Sequence, residues 1–187
     1  MKLEDVVTVR IGKNLSRRNE KNDLTFVTYS YEDLLNDLEG AFLDSQANLY
    51  EEQTDSYLSS TGDVVFSFVS SKAGIVSDLN QGKIINQNFA KLFFDHKILD
   101  PCYLCYVLNE SHSAKRQMAI SMQGSFVPKL TPAILKEFEI KLPTIEKQRT
   151  IGNVYFTYKK HHALVKKQAE LEEKLYLEIL NQLDQQQ

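Results

Sequence analysis

Leu142-Pro143-Thr144-Ile145-Glu146-Lys147-Gln148-Arg149-Thr150-Ile151 opens a stretch that runs to Gln187 with no further proline and one glycine, Gly152. Proline disfavours the α region for the residue before it, so Pro143 marks a boundary. Thr144 is placed to cap a helix, and Lys147 stands where Glu or Gln would complete a capping box. The stretch predicts one helix of about 40 residues, about 60 Å long at ~1.5 Å per residue. So long a helix needs something to cover its apolar stripe. Ile151, Val154, Tyr158, Val165, Leu175 and Ile179 follow spacings of three and four, with Leu164, Leu171 and Leu180 beside them. His161, Gln168 and Glu172 interrupt that seam. The pattern predicts helix pairing in a coiled-coil manner. A helix folded back on its own domain is the plainer alternative.

The 187 residues allow one ordinary domain and an appendage. Apolar residues make up 42% and charged residues 25%, a globular balance. No apolar run approaches a membrane span, and Lys2-Leu3-Glu4-Asp5 does not open a signal peptide. Two cysteines fit a reducing, cytoplasmic setting. Cys102 and Cys105 have a C-x-x-C spacing, but a zinc site needs further ligands. In an apolar helix they read as core residues, so neither metal nor cofactor is expected.

Net charge is −3. From Tyr31 to Asp55 the chain carries Glu32, Asp33, Asp37, Glu39, Asp44, Glu51, Glu52 and Asp55 with no Lys or Arg. All 22 basic residues therefore lie elsewhere, where they outnumber the acids. A basic face is possible but charge alone does not choose the partner.

Val7 to Ile11 predicts a strand that Gly12 ends. A polar loop follows with Lys13, Asn14, Arg17 and Arg18, either a solvated turn or a loop on phosphate. Leu24 to Tyr29 alternates as a strand, and Tyr31 to Leu38 reads as a short acidic helix. Val64 to Val69, nearly continuously apolar, predicts a buried strand. Ser70-Ser71-Lys72-Ala73-Gly74 reads as a turn, a plain hairpin loop by default or a close approach to a ligand through Ser71 and Lys72. Gly82 to Asp95 predicts two strands around Asn86-Gln87-Asn88. Asp100 and Pro101 start a helix through Leu108. Lys115, Arg116 and Gln117, then Gln123 and Ser125, are further polar candidates. Thr131-Pro132 begins a short helix, and Phe138 to Leu142 alternates as a closing strand.

Five segments in order resemble the specificity subunit of type I restriction–modification enzymes. They are Lys2-Leu3-Glu4-Asp5-Val6-Val7 with Gly12, then Gly62-Asp63-Val64-Val65-Phe66-Ser67, then Ile85-Asn86-Gln87-Asn88-Phe89. Gly124-Ser125-Phe126-Val127-Pro128-Lys129-Leu130 follows, and the junction Phe138 to Ile151 is the most specific piece. The resemblance implies an α/β (α+β) target recognition domain over 1–143. It implies a spacer and dimerisation helix over 144–187 that pairs as an antiparallel coiled coil. It further implies binding of double-stranded DNA at one half of a split site, with DNA methyltransferase subunits and a restriction/translocase subunit as partners. Complete subunits resemble two tandem copies of this unit, so a single copy implies a half-size form that forms a homodimer or pairs with a second half-subunit. The family assigns this subunit no catalysis. The residues agree, since no G-x-G-x-x-G or P-loop and no methyltransferase Asn-Pro-Pro-aromatic motif is present. A protein-interaction module that dimerises through its helix without reading DNA is the competing reading, favoured by the acidic stretch.

On loop chemistry, Lys13, Asn14, Arg17 and Arg18 are expected on phosphate. Ser71, Lys72, Lys115, Arg116, Gln117, Gln123 and Ser125 are expected near the groove. Ile151, Val154, Tyr158, Val165, Leu175 and Ile179 are the expected dimer interface.

Overall fold

The computed structural model describes residues 1–15, 27–40, 57–122 and 130–185. Four strands, β1 (Thr8–Ile11), β2 (Val64–Ser67), β3 (Lys72–Ile75) and β4 (Phe89–Phe93), form one antiparallel sheet in the order β1-β4-β2-β3. Around it lie α1 (Tyr31–Leu38), α2 (Pro101–Glu110), α3 (His112–Met122), α4 (Pro132–Lys136) and the 40-residue α5 (Ile145–Asp184). The fold class is mixed α/β with an antiparallel sheet and a long C-terminal helix. No described helix is long and apolar enough to cross a membrane.

Both faces of the sheet are covered, which is why β2 reads as an unbroken apolar run. Alternate residues serve opposite layers. Val64 and Phe66 join Ala73, Ile75, Ala90 and Leu92 in the main core with α2 and the start of α5. Val65 and Phe89 face the other way and pack with Tyr29, Leu34 and Leu38 at α1. Lys91 lies on this second side, almost wholly buried, with its Nζ 2.6 Å from the equally buried Asp63 carboxylate. The Asp63 carboxylate also accepts from Ser60 N at 2.7 Å. The glycine-aspartate motif is thus a structural device that anchors the entry to β2.

Local chemistry sets the helix starts. Ser30 caps α1 with a reciprocal bond pair to Asp33. Asp100 accepts from Tyr103 N at 2.9 Å, with Pro101 in the first turn of α2. Thr131 caps α4 through Ile134 N. At α5 the Thr144 hydroxyl makes no cap bond. Gln148 takes over instead. Its buried amide donates to Pro143 O and Ile98 O and accepts from Asp100 N, tying the starts of α2 and α5 together.

Several sequence expectations need correction. Of the strand expected over Leu24–Tyr29, residues 24–26 lie outside the described residues. Val27 to Tyr29 makes only a single bridge, Thr28 to Ile84, because Ser30 turns the chain at once into α1. Lys72, Ala73 and Gly74 belong to β3, not to a turn, because they pair with Ser67, Phe66 and Val65. Around Asn86 only isolated bridges form, to Lys13, and at Ile84 to Thr28 and Leu58, leaving Phe89–Phe93 as the single strand there. Phe138–Leu142 stays outside the main sheet, since its backbone partners are the N-terminal residues Met1 to Leu3. Lys115, Arg116 and Gln117 sit on helix α3, where a loop was expected.

Two glycines permit close backbone approaches. A Cβ at Gly12 would lie 2.2 Å from Asn86 O, so only glycine lets β1 run so close to residues 85–86. A Cβ at Gly152 would meet Cys102 Cβ at 2.5 Å and Tyr103 N at 2.7 Å. That contact presses α5 onto α2 in the most extensive helix pairing among the described residues.

Candidate nucleic-acid interface

At the outer edge of the sheet the β2–β3 hairpin, the end of α2, the start of α3 and α5 converge. The hairpin reverses through Val69, Ser70 and Ser71. Ser71 has φ 55°, a strained conformation for a residue with a side chain. Val69 at the tip is exposed. The next residue, Lys72, reaches back to donate to Asn109 O at 3.2 Å.

Glu110, the last residue of α2, gathers three ammonium groups. Lys115 of α3 lies at 2.7 Å, Lys159 of α5 at 3.4 Å and Lys72 of β3 at 3.8 Å from its carboxylate oxygens. All four side chains remain partly exposed. Burial works to raise the Glu110 pKa. The hydrogen bond from Lys115 and the charges of Lys72 and Lys159 outweigh it, so the carboxyl stays below its ordinary range. Burial lowers Lys72, and the neighbouring Lys159 and Lys115 lower it further against the pull of Glu110. One carboxylate among three ammoniums leaves an excess of positive charge.

The sequence candidates fare differently. Lys72 and Lys115 meet at Glu110 with Ser71 adjacent, while Glu110 and Lys159 were missed. The signal for them lies in tertiary packing, since residues 72, 110, 115 and 159 come from four elements. Arg116 is exposed on α3. Gln117 has its amide engaged at both ends, accepting from Glu139 N at 2.7 Å and donating to Glu139 O at 3.0 Å. It fastens the closing segment to α3. Lys13 and Asn14 are exposed just past β1, beside Asn86. Arg17, Arg18, Gln123 and Ser125 lie outside the described residues.

The acidic stretch is not simply a solvated face. Asp37 is buried and accepts from Tyr29 Oη, Ser77 N and Asn80 Nδ2. Asp33 pairs with Lys83 at 2.7 Å. Cys102 and Cys105 are core residues, and burial pushes both thiols up in pKa.

On α5 the first turns are part of the core, with Gln148, Gly152, Tyr155 and Phe156 buried. Ile151 differs from the rest of the expected dimer stripe. It is half-buried against the domain core and lines a groove of about 500 Å³ with Tyr106 and Leu142. Val154, Tyr158, Val165, Leu175 and Ile179 are exposed, as are Leu164, Leu171, Tyr176 and Leu180.

A family model described as type I restriction modification DNA specificity domain matches residues 1–174. The chain belongs to this family. Among solved structures, the HsdS subunit from Thermoanaerobacter tengcongensis is similar with a TM-score of 0.52 at 18% identity, over 90% of this chain and 39% of that one. The type I restriction-modification S subunit from M. genitalium matches with a TM-score of 0.59 at 14% identity, over 94% of this chain and 42% of that one. A third, from work on complex assembly and conformational transition of the type I R-M system, has a TM-score of 0.57 at 18% identity, with the same coverage of both chains. At these identities the likeness is one of fold. The chain spans about two fifths of the length of these solved chains. No curated protein matches the sequence.

Proposed function

We propose that this chain reads one half of a bipartite DNA target for a type I restriction–modification system and docks the methyltransferase and restriction/translocase subunits that carry the chemistry. The observation that supports this most is the combination within one specificity-family chain of a lysine-rich surface at the β2–β3 hairpin and a helix whose outer half exposes an apolar stripe. In this reading 1–143 supplies recognition, 144–187 supplies spacing and dimerisation, and the protein acts in the cytoplasm without a catalytic residue or cofactor of its own. Lys13, Asn14, Arg17 and Arg18 supply phosphate contacts, and Ser71, Lys72, Lys115, Arg116, Gln123 and Ser125 supply groove or phosphate contacts.

Pairing of two copies about a twofold axis, or of one copy with a second half-subunit, then sets two recognition units apart. Identical units read inverted half-sites, so the target is a split palindrome. The test is selection from a randomised duplex pool followed by mobility shift over a salt series. Enrichment of two inverted half-sites at fixed separation supports the reading. Binding with steep salt dependence but no sequence preference overturns it, since that is phosphate contact alone.

A further inference from the structure

We propose that Lys72, Lys115 and Lys159 form one phosphodiester clamp, preset by Glu110, through which helix α5 itself grips the DNA backbone. The inference rests on the DNA-reading function proposed above and adds to it a specific anchoring point on the spacer helix. Three ammonium groups from β3, α3 and α5 surround one group that carries a single negative charge on two oxygens, within 2.7 to 3.8 Å. A backbone phosphodiester presents the same charge on two terminal oxygens. Glu110 balances one of three cations, so the cluster retains affinity for a second anion. It also holds three flexible side chains in place, which reduces the ordering entropy that binding would otherwise cost. The packing makes the arrangement firm. Lys159 Nζ lies 5.5 Å from the centroid of the Tyr155 ring, Tyr155 accepts from Asn109 at 3.0 Å, and Asn109 O receives Lys72. The cluster adjoins the strained Ser71 and exposed Val69, so a strand held here brings that hairpin tip to the groove.

Phosphate contacts fix register and carry no sequence information. The clamp therefore contributes affinity and salt dependence equally to target and random duplexes. The experiment compares the full chain with the triple variant K72Q/K115Q/K159Q, the charge-keeping K72R/K115R/K159R, and E110Q, with thermal melting to confirm that each is folded. Duplex affinity is measured from low to moderate salt on the selected target and on random DNA. The clamp predicts that the glutamine variant loses about tenfold or more on both duplexes. The slope of log affinity against log salt should fall by about one to two, the share of one or two phosphates. The arginine variant should keep the slope, and E110Q, with one more unbalanced charge but its lysines no longer held, should steepen the slope and bind both duplexes more weakly at moderate salt. If wild type binds its target and the folded glutamine variant keeps the same affinity and slope, the clamp is wrong and the DNA-reading function stands. If wild type binds no duplex even at low salt, both fall together.

Discussion

The side-chain amide of Asn109 pairs with the backbone of Ala73 on the open edge of β3, accepting from its N–H at 2.8 Å and donating to its C=O at 2.8 Å. An edge strand otherwise presents unpaired backbone groups, and here α2 supplies a mimic of the missing neighbour. The second amide hydrogen goes to Tyr155 of α5 at 3.0 Å, so one buried side chain joins sheet, α2 and α5. Removing it leaves buried backbone groups unsatisfied, at a cost of about 1–3 kcal/mol. Asn109→Ala should lower unfolding stability by that amount in urea melts, while Tyr155→Phe, which removes a single acceptor, should cost less. Equal melts for Asn109→Ala and wild type would show that the edge is satisfied some other way.

Gly152 gives a prediction of sign. In an exposed helix interior, glycine to alanine normally stabilises by about 1 kcal/mol. At Gly152 the added methyl would meet backbone and Cβ of α2 at 2.5 to 2.8 Å, atoms that cannot step aside as a side-chain tip can. Gly152→Ala should therefore destabilise, by about 1–3 kcal/mol as for an overpacked core. Thermal denaturation reads the sign directly. A raised melting temperature would mean that α5 does not pack as closely on α2 as described.

The main elements were legible because local signals agreed with packing. Ser30 and Asp33 bracket α1 and Pro143 opens α5 where the sequence leads one to expect them, while α2, started by Asp100 and Pro101, runs to Glu110, past the expected Leu108. The misplaced elements are those where partners decide. Lys72 to Gly74 looks like a turn by composition, yet pairing with β2 makes it a strand. Phe138 to Leu142 alternates like a strand but finds only the N-terminal residues to pair with. At the candidate interface, Ser71, Lys72 and Lys115 carried chemical cues in the sequence. Glu110 and Lys159 did not, since nothing local brings residues 49 positions apart together. Ile151 shared the periodicity of the exposed stripe, and only the docking of the first turns of α5 separates it from Val165 and Leu175.

Acid sensitivity should track Asp33. Burial alone would raise its carboxyl, but the bonds from Lys83 and Ser30 outweigh that and hold it below the ordinary aspartate range. The ionised form therefore favours the folded state. Its contribution is present above the unfolded value, about 3.9, and is lost as pH falls through the lower folded one. Asp37, raised by burial, has the opposite sign. The stability difference between wild type and Asp33→Asn should hold steady at neutral pH and shrink below about pH 4 in a urea series. A difference independent of pH would remove the Asp33–Lys83 pair as its origin.

The outer half of α5 gives the prediction with the widest consequence. From Val165 to Leu183 the helix exposes leucines, tyrosine, valine and isoleucine that no other described part of the chain covers. Leu175 and Ile179 stand one turn apart on one face, with Val165 further back. Burying such a stripe gains about 25 cal/mol per Å² of apolar surface, which an isolated helix forgoes. The full chain should therefore be a dimer by light scattering at tens of micromolar. Leu175→Glu with Ile179→Glu should yield a folded monomer, because both residues are exposed within one chain and the charges meet only a partner. The monomer should keep the melting behaviour of the sheet and lose selection for two half-sites. In the dimer the helix sets the distance between recognition units. Deleting seven residues, about two turns or 10 Å, should change the preferred spacer and leave the half-site bases alone. A wild-type monomer under these conditions, or a spacer indifferent to helix length, would sink the ruler role of α5.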